Sequence, residues 1–429
     1  MARALSHRNY RLFFAGQSVS LIGTWITRVA TSWLVYRLTG SAALLGIVGF
    51  AGQIPVFVLS PFAGVWVDRL DRYRVLVATQ VLAMAQSFAL AALALTGVIE
   101  VWHILVLQAV QGVINAVDTP ARQAAMVDMV EDRADLPNAI ALNSTVVNSA
   151  RLIGPSIAGV LIVWVGEGWC FLVDGISYAG VIASLLAMRM PRRTRPPRGA
   201  SMRADLRAGF GYAFGFGPVR SALLLLAAGS LFGMPYTVLM PLIADRVLHG
   251  GAHTLGFLMG ATGVGALAGA VYMASRATVL GLGRVIAISA AGFGLALVAF
   301  SFSDRLWISL LILVFAGLGF LVHLAATNTV LQTLVDEHMR GRTMAFYSMA
   351  FIGVAPFGSL WAGAVADRIG APATIRIGGV LLVVAAGVFA RGLPRMREQA
   401  RPVYVERGIL PEVAEGLEGA AALEQEMEP

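Results

Sequence analysis

Five ionisable side chains stand inside apolar stretches of this chain: Arg28, Asp118, Arg151, Asp174 and His323. Charged or titratable groups in a hydrocarbon surrounding are costly, so they are either paired with one another or used on a proton, an ion or a ligand. On a helical projection Gln17, Thr24, Arg28 and Thr31 share one face, a polar stripe down an otherwise apolar helix. Ser144, Asn148, Arg151 and Pro155 make a second stripe. Two stripes that each carry an arginine are expected to be two walls of one cavity. The competing reading is that each arginine ties down neighbouring helix backbones or a buried carboxylate.

The remaining three groups offer proton chemistry or its structural substitute. Asp118 lies in Asp118-Thr-Pro-Ala-Arg122, where the arginine is one turn on. An internal Asp118–Arg122 pair, or a network with the loop around Asp68, weighs at least as much there as a proton site. Asp174 is placed to pair with Arg28 or Arg151, which makes it a candidate proton carrier. His323 has Thr327 one turn later and Asn328 beside it, so a proton relay and a hydrogen-bonded packing role both stand. No second histidine or carboxylate lies at ligand spacing, and Cys170 is the only cysteine, so neither a metal site nor an internal disulfide is expected. The chain has no nucleophile–base set and no nucleotide loop, which argues against an enzyme, a cofactor and an ATP-driven pump.

The elements that must position these groups are membrane spans. The 429 residues are 58% hydrophobic and 13% charged, with mean hydropathy +0.76. A water-soluble protein carries about a quarter charged residues. Apolar runs long enough to cross the hydrocarbon core, roughly 20 residues, cover 13–36, 42–67, 75–98, 102–126, 139–165, 169–188, 222–244, 255–275, 285–302, 306–334, 344–366 and 374–389, the last being the shortest. The first is too long for a cleaved signal and is expected to be retained.

All 32 basic residues are arginine, and their placement alternates with the loops. With a cytoplasmic N-terminus, 25 fall on the inner loops and tails and 5 on the outer edges, Arg37, Arg246, Arg305, Arg368 and Arg376. That bias predicts both termini in the cytoplasm of a multi-pass cell-membrane protein. The net charge of +8 then reports topology and not a nucleic-acid partner. Four segments follow: spans over 1–189, a cytoplasmic linker over 190–220 with a short amphipathic helix around Leu206, Phe210 and Phe214, spans over 221–392, and an acidic tail over 393–429 expected to be disordered.

The second apolar run closes on Gly64-Val-Trp-Val-Asp68-Arg69-Leu-Asp71-Arg72-Tyr-Arg74. This pattern resembles the signature loop between helices 2 and 3 of the major facilitator superfamily, with Asp71 standing where the family has a second glycine. Gly154-Pro155-Ser-Ile-Ala-Gly159 resembles the G-P-x-x-x-G element of the superfamily's fifth helix, associated there with antiporters. Gln108-Ala-Val-Gln111-Gly112 departs from the family, whose arginine at the position of Gln108 is linked to proton coupling. Asn9-Tyr-Arg-Leu-Phe-Phe, Gly23-Thr-Trp-Ile and Trp33 to Ser41 place the chain near the branch similar to the enterobactin exporter and macrolide efflux proteins. A further G-x-x-x-D-R, Gly363 to Arg368, falls on the outer face and reads as coincidence.

The resemblance implies an all-α integral membrane protein with twelve transmembrane helices in two pseudo-symmetric six-helix bundles, working as a monomer on protons and an amphipathic small molecule, a drug or siderophore-like metabolite. It implies export by alternating access as a proton antiporter, with the Asp68 loop (Gly64, Asp68, Arg69, Arg72, Arg74) as a conformational latch and Gly154, Pro155 and Gly159 as the packing and bend of helix 5. An importer or uniporter, or a non-transporting scaffold or sensor, are the other readings that the residues leave open.

Overall fold

The computed structural model describes residues 3–130, 132–188, 211–276 and 278–409, without the side chains at 60, 61, 64, 65, 68, 69, 133, 337 and 338. The expectations for the linker over 190–210, the tail from 410, and the side chains of Gly64, Asp68 and Arg69 therefore lie outside the described residues. The long elements are α1 (Arg8–Thr39), α2 (Ala42–Arg69), α3 (Arg72–Leu95), α4 (Val101–Met129), α5 (Leu136–Val165) and α6 (Glu167–Leu186). They continue as α7 (Gly217–Val247), α8 (Ala252–Ala274), α9 (Leu282–Phe300), α10 (Leu306–Leu334), α11 (Met339–Ile369) and α12 (Ala371–Glu406). Lipid offers the backbone no hydrogen-bond partner, so segments this apolar satisfy their own peptide groups as helices.

Eleven helices, α2 to α12, are long and apolar enough to cross a membrane. The 32-residue α1 is long enough, but its run of Gln17, Ser18, Ser20, Thr24, Thr27, Arg28, Thr31 and Ser32 makes it less apolar. It packs against α5 and α6, and five of those residues, Thr24, Thr27, Arg28, Thr31 and Ser32, line a cavity. Lipid-facing surface is apolar, as 81% exposed Trp307 and 72% exposed Ile288 illustrate. Trp102, Trp164, Trp169 and Trp307 are exposed near the helix ends that carry few arginines, where amphipathic rings settle at a membrane interface.

Two local features differ from the sequence expectation. The last helix is the longest and not the shortest: α12 has 36 residues and runs past position 398 to Glu406, with Pro394 and Pro402 inside it. Its basic extension is helical beyond the apolar core, and Val403 and Tyr404 pack back on the hydrophobic cluster. Asp71, in place of the family's glycine, caps α3, accepting from the backbone N–H of Tyr73 at 3.0 Å and of Arg74 at 3.2 Å. Next to it Arg72 reaches Asp128 at the end of α4, 3.5 Å away, so the loop is tied to its neighbour on the arginine-rich face.

Within the first set of helices α1 packs on α5 and α6, α2 on α4, and α3 on α4 and α6; within the second, α8 packs on α10, and α9 on α10 and α12. Two helix pairs join the sets, α5 with α8 and α2 with α11. Both joins are crossings of small residues. A Cβ on Gly46 would meet the Gly363 Cα at 3.0 Å, and one on Gly159 would meet the Gly256 Cα at 3.0 Å. The turns α5–α6 and α11–α12 repeat one backbone geometry, Gly166 at φ 86° and Gly370 at φ 86°, a conformation that a side chain would strain. The α8–α10 crossing is closer still: a Cβ on Gly317 would run into the Thr262 carbonyl oxygen and one on Gly265 into that of Val314. Gly317→Leu is expected to force α8 from α10 and, since overpacking costs about 1–3 kcal/mol, to lower the midpoint of thermal unfolding measured in detergent by several degrees. An unchanged midpoint would show that the crossing tolerates a side chain.

Candidate functional site: a polar cavity beside two unpaired arginines

Two cavities bear on where a ligand sits. The larger, about 440 Å³, lies between α7, α9, α10 and α12 at the arginine-rich end; its wall is apolar apart from Arg284, Arg397 and Arg401. None of the five intramembrane ionisable groups reaches it. The smaller, about 250 Å³, is bounded by α1, α2, α3, α4, α6, α7, α8 and α11, and contains Arg28 and Asp174 together with Gln53, Gln86, Gln108 and Gln111. The second is the candidate site, because it combines enclosure with convergent polar groups.

The wall formed by α1 follows from helical spacing. Thr24, Thr27, Arg28 and Thr31 recur at three and four residues and all line the cavity. Arg28 is surrounded by helices yet exposed, so the surface that it presents belongs to the cavity. Arg151, on α5, does meet the α1 stripe, and the meeting point is Trp25. The Arg28 guanidinium carbon is 4.7 Å from the indole centroid and that of Arg151 is 5.4 Å from it. Arg151 also lies 5.9 Å from the Phe320 ring of α10, so it touches both sets of helices. Such cation–π contacts contribute roughly 0.5–2 kcal/mol each. Trp25 gets this close because α5 has glycine opposite: a Cβ on Gly154 would lie 2.5 Å from the Trp25 Cβ. One turn on, Pro155 and Gly159 turn towards α8, where a Cβ on Gly256 would meet the Pro155 carbonyl oxygen at 2.6 Å. The Gly-Pro element thus seats α1 on one side of α5 and α8 on the other.

The carboxylates divide by environment. Asp118 is saturated: it accepts from Thr79 Oγ1 at 2.8 Å and Gln80 Nε2 at 2.7 Å and pairs with Arg122 at 2.7 Å. The internal pair is what the structure shows, and it leaves little of Asp118 free for a ligand. Asp174 is 2% exposed, and among the described residues it forms an ion pair with neither arginine. Its Oδ2 accepts from Ser87 Oγ at 2.9 Å, while Oδ1 has no hydrogen-bond partner, and the residue borders the cavity. His323 is not brought to this site. It is 1% exposed on α10, its Nε2 would be 3.6 Å from a Cβ on Gly229 of α7, and neither ring nitrogen finds a partner among the described residues. Thr327, one turn on, is equally buried with an unpartnered hydroxyl.

Sequence reasoning missed Trp25, Gln53, Gln86, Ser87 and Tyr178. Trp25 had a legible signal, three residues before Arg28 on the same face; the others come from helices whose rotation only packing decides. Gln108 holds Thr31 across the cavity at 3.4 Å, a neutral contact where the family arginine would put a charge.

The cavity is closed at the arginine-poor end. Asp367, at the end of α11, accepts through Oδ1 from the Ala42 N–H at 3.1 Å, the Ala43 N–H at 3.4 Å and the Ser41 hydroxyl at 3.3 Å. Tyr36 donates to Asp245, and Arg246 donates to the Gly40 carbonyl at 2.7 Å. Below these the two sets stay in contact down to Phe57 against Gly353 and Leu152 against Gly263, about midway along the helices.

This architecture is that of a major facilitator superfamily transporter. It aligns with a bacterial homologue of the human lysosomal transporter Spinster (TM-score 0.66, 16% identity, 92% of this chain and 98% of the other). It also aligns with a POT family transporter solved with a thioalcohol-conjugated peptide (TM-score 0.71, 11% identity, 91% and 96%). At those identities the likeness concerns the fold alone. Residues 2–415 match the family described as transmembrane secretion effector, and the chain belongs to that family of transporters. Relatives along nearly the whole length include the staphyloferrin A transporter of Staphylococcus aureus (28% identical over 390 residues, 88% of this chain and 95% of that protein). Others are the multidrug efflux pump Tap of Mycolicibacterium fortuitum (29% over 394 residues, 88% and 93%) and macrolide efflux protein A of Streptococcus pyogenes (23% over 402 residues, 89% and 96%).

Because Gly154 seats Trp25, Gly154→Ala is expected to displace the indole and separate the two arginines. Losing that arrangement is expected to weaken cargo binding roughly tenfold, about 1.4 kcal/mol, read as a raised half-saturating concentration in a transport assay at equal protein level. Wild-type affinity in this variant would show that Trp25 does not order the site.

Proposed function

We propose that this membrane transporter exports an amphipathic small molecule by alternating access as a proton antiporter, with α1 as a twelfth span and the chain acting as a monomer. The two sets of helices would rock as six-helix bundles about the cavity, over residues 1–189 and 221–392. The observation that carries the reading is a midplane cavity that, among the described residues, is sealed by cross-set contacts at the arginine-poor end. The distribution of arginines supports an orientation with the sealed end outside the cell, in which cargo would load from the cytoplasm and the inner leaflet. The relatives, efflux pumps and a siderophore transporter, are consistent with that class of cargo.

Asp174 is the residue on which proton coupling would rest. It borders the cavity, it has an unpartnered oxygen, and no arginine neutralises it. Protons entering from outside would discharge through it to the cytoplasm after cargo leaves. Arg28 and Arg151 would hold cargo, Asp118 would fasten α3 to α4, and His323 would sit apart as a packing residue at the α7–α10 contact. The neutral Gln108 keeps an importer or uniporter as a second reading, because the family arginine tied to proton coupling is absent.

Two latches would hold the alternate states. Asp68, with Arg69, Arg72 and Arg74, would pair with a neighbouring helix end when the inner face closes. Asp367 is its outer counterpart. An acidic residue in the last turn of its own helix opposes that helix's dipole, but at the N-terminus of α2 it caps free N–H groups and meets the favourable end. The glycine four residues earlier, Gly363, makes the crossing that brings it there. The G-x-x-x-D-R at 363–368 is on this reading a second latch and not a coincidence.

Cellular accumulation of macrolides, dyes and siderophores, with and without a protonophore, tests the direction and the energy source. Lowered accumulation that the protonophore abolishes is expected; Asp174→Asn should leave binding but remove the gradient dependence. Accumulation raised by the protein would establish the importer. Asp68→Asn should cut transport without abolishing insertion, and Asp367→Ala should raise the outward-open population about fivefold, the worth of a typical helix cap. Spin labels at Thr96 and Asp304, after Cys170→Ala, read that population as a distance distribution. An unchanged distribution removes the outer latch.

A further inference from the structure

Arg28 in the wall of the cavity and Arg151 beside it, on the same indole, also bear on the charge of the cargo. Arg28 and Arg151 both lie over the Trp25 ring, and among the described residues neither meets a carboxylate or donates a hydrogen bond. A guanidinium left unpaired at membrane depth is costly, and the contact with one indole face offsets only part of that cost. Two like charges beside the same ring add repulsion. The nearby acid does not balance them: Asp174 is buried, turned to Ser87 and 2% exposed, whereas Arg28 is exposed to the cavity. The charge that this site shows to a ligand is therefore positive.

From this we infer that the cargo is an amphipathic anion, a carboxylate carried on an aromatic or similarly flat apolar body. The carboxylate would take the free N–H edges of the two arginines as charge-assisted, bidentate hydrogen bonds. The apolar body would lie against Trp25 and Phe320, the rings over which the guanidinium groups already sit. Because Arg151 touches α1 through Trp25 and α10 through Phe320, an anion bound there contacts both sets of helices at once. That is the position from which a ligand biases their relative motion. The assignment rests on the transport reading above but not on its direction or its coupling.

The test uses the purified full-length protein in nanodiscs and two probes of one shape and opposite charge, anthracene-9-carboxylate and 9-(aminomethyl)anthracene, with Kd measured by equilibrium dialysis at pH 7 and fixed ionic strength. The carboxylate is expected to bind about tenfold more tightly or better, the worth of one or two hydrogen bonds between charged groups. Arg28→Gln and Arg151→Gln should each remove most of that preference without weakening the ammonium probe, and Arg28→Lys should restore part of it. The wild-type comparison stands even if a variant fails to fold. Equal affinity for the two probes, preference for the ammonium, binding of neither, or an undiminished preference in both glutamine variants overturns the inference. Binding is read without a gradient, so an anion preference without efflux overturns export and leaves this assignment standing. Efflux of cationic compounds with no anion preference does the reverse.

Discussion

Helices in a lipid bilayer gain nothing from hydrophobicity by touching one another, because lipid tails are as apolar as leucine. Their association depends on close backbone approach and on polar contacts that lipid cannot supply. In this protein that constraint converges on α5. Gly154 admits Trp25 of α1, and one turn later Pro155 and Gly159 admit α8 of the other set. The same few residues therefore set the position of the aromatic ring at the site and the crossing that joins the two sets of helices. A second crossing, Gly46 of α2 with Ser359 and Gly363 of α11, joins those two helices, and both crossings lie toward the arginine-poor end.

Electrostatics at the site is unbalanced where balance was expected. Two cations beside one indole and a carboxylate turned to a serine leave the arginines without counter-charge among the described residues. Asp118 and Arg122, by contrast, complete each other within a single helix turn. Asp118 also takes the hydrogen bonds of Thr79 and Gln80 that fasten α3 to α4, whereas Arg28 and Asp174 border the cavity without such partners for all their polar atoms. A transporter needs groups whose interactions change between states, and fully satisfied pairs offer no such change.

The α2–α11 pair shows how a short motif acquires meaning from its partner. The two helices run antiparallel, as the pairings of Gly46 with Gly363 and Phe57 with Gly353 require, and each ends in glycine, three residues, aspartate and arginine. A carboxylate at the end of one helix reaches the start of the other, where uncompensated N–H groups wait. Asp367 makes that contact with Ser41, Ala42 and Ala43. Placed four residues after a glycine that lets the backbones meet, an otherwise unfavourable aspartate becomes a cap in trans.

Eleven of the expected spans and the charge asymmetry of the helix ends were legible in the sequence, because a bilayer demands long apolar helices. The Asp118–Arg122 pair was legible as one of the readings, since four-residue spacing on one helix makes neighbours regardless of the rest of the fold. The sequence brought Arg28 and Arg151 into the same argument by stripe, but not the ring that both of them touch. Packing alone put Trp25 against both arginines, turned Asp174 to Ser87, kept His323 apart and brought Asp367 to cap α2. Each of these joins residues tens to hundreds of positions apart. Helical periodicity says which side chains share a face; the close crossings of small residues say which faces meet, and a glycine's missing side chain leaves no hydropathy pattern by which that choice is read in advance.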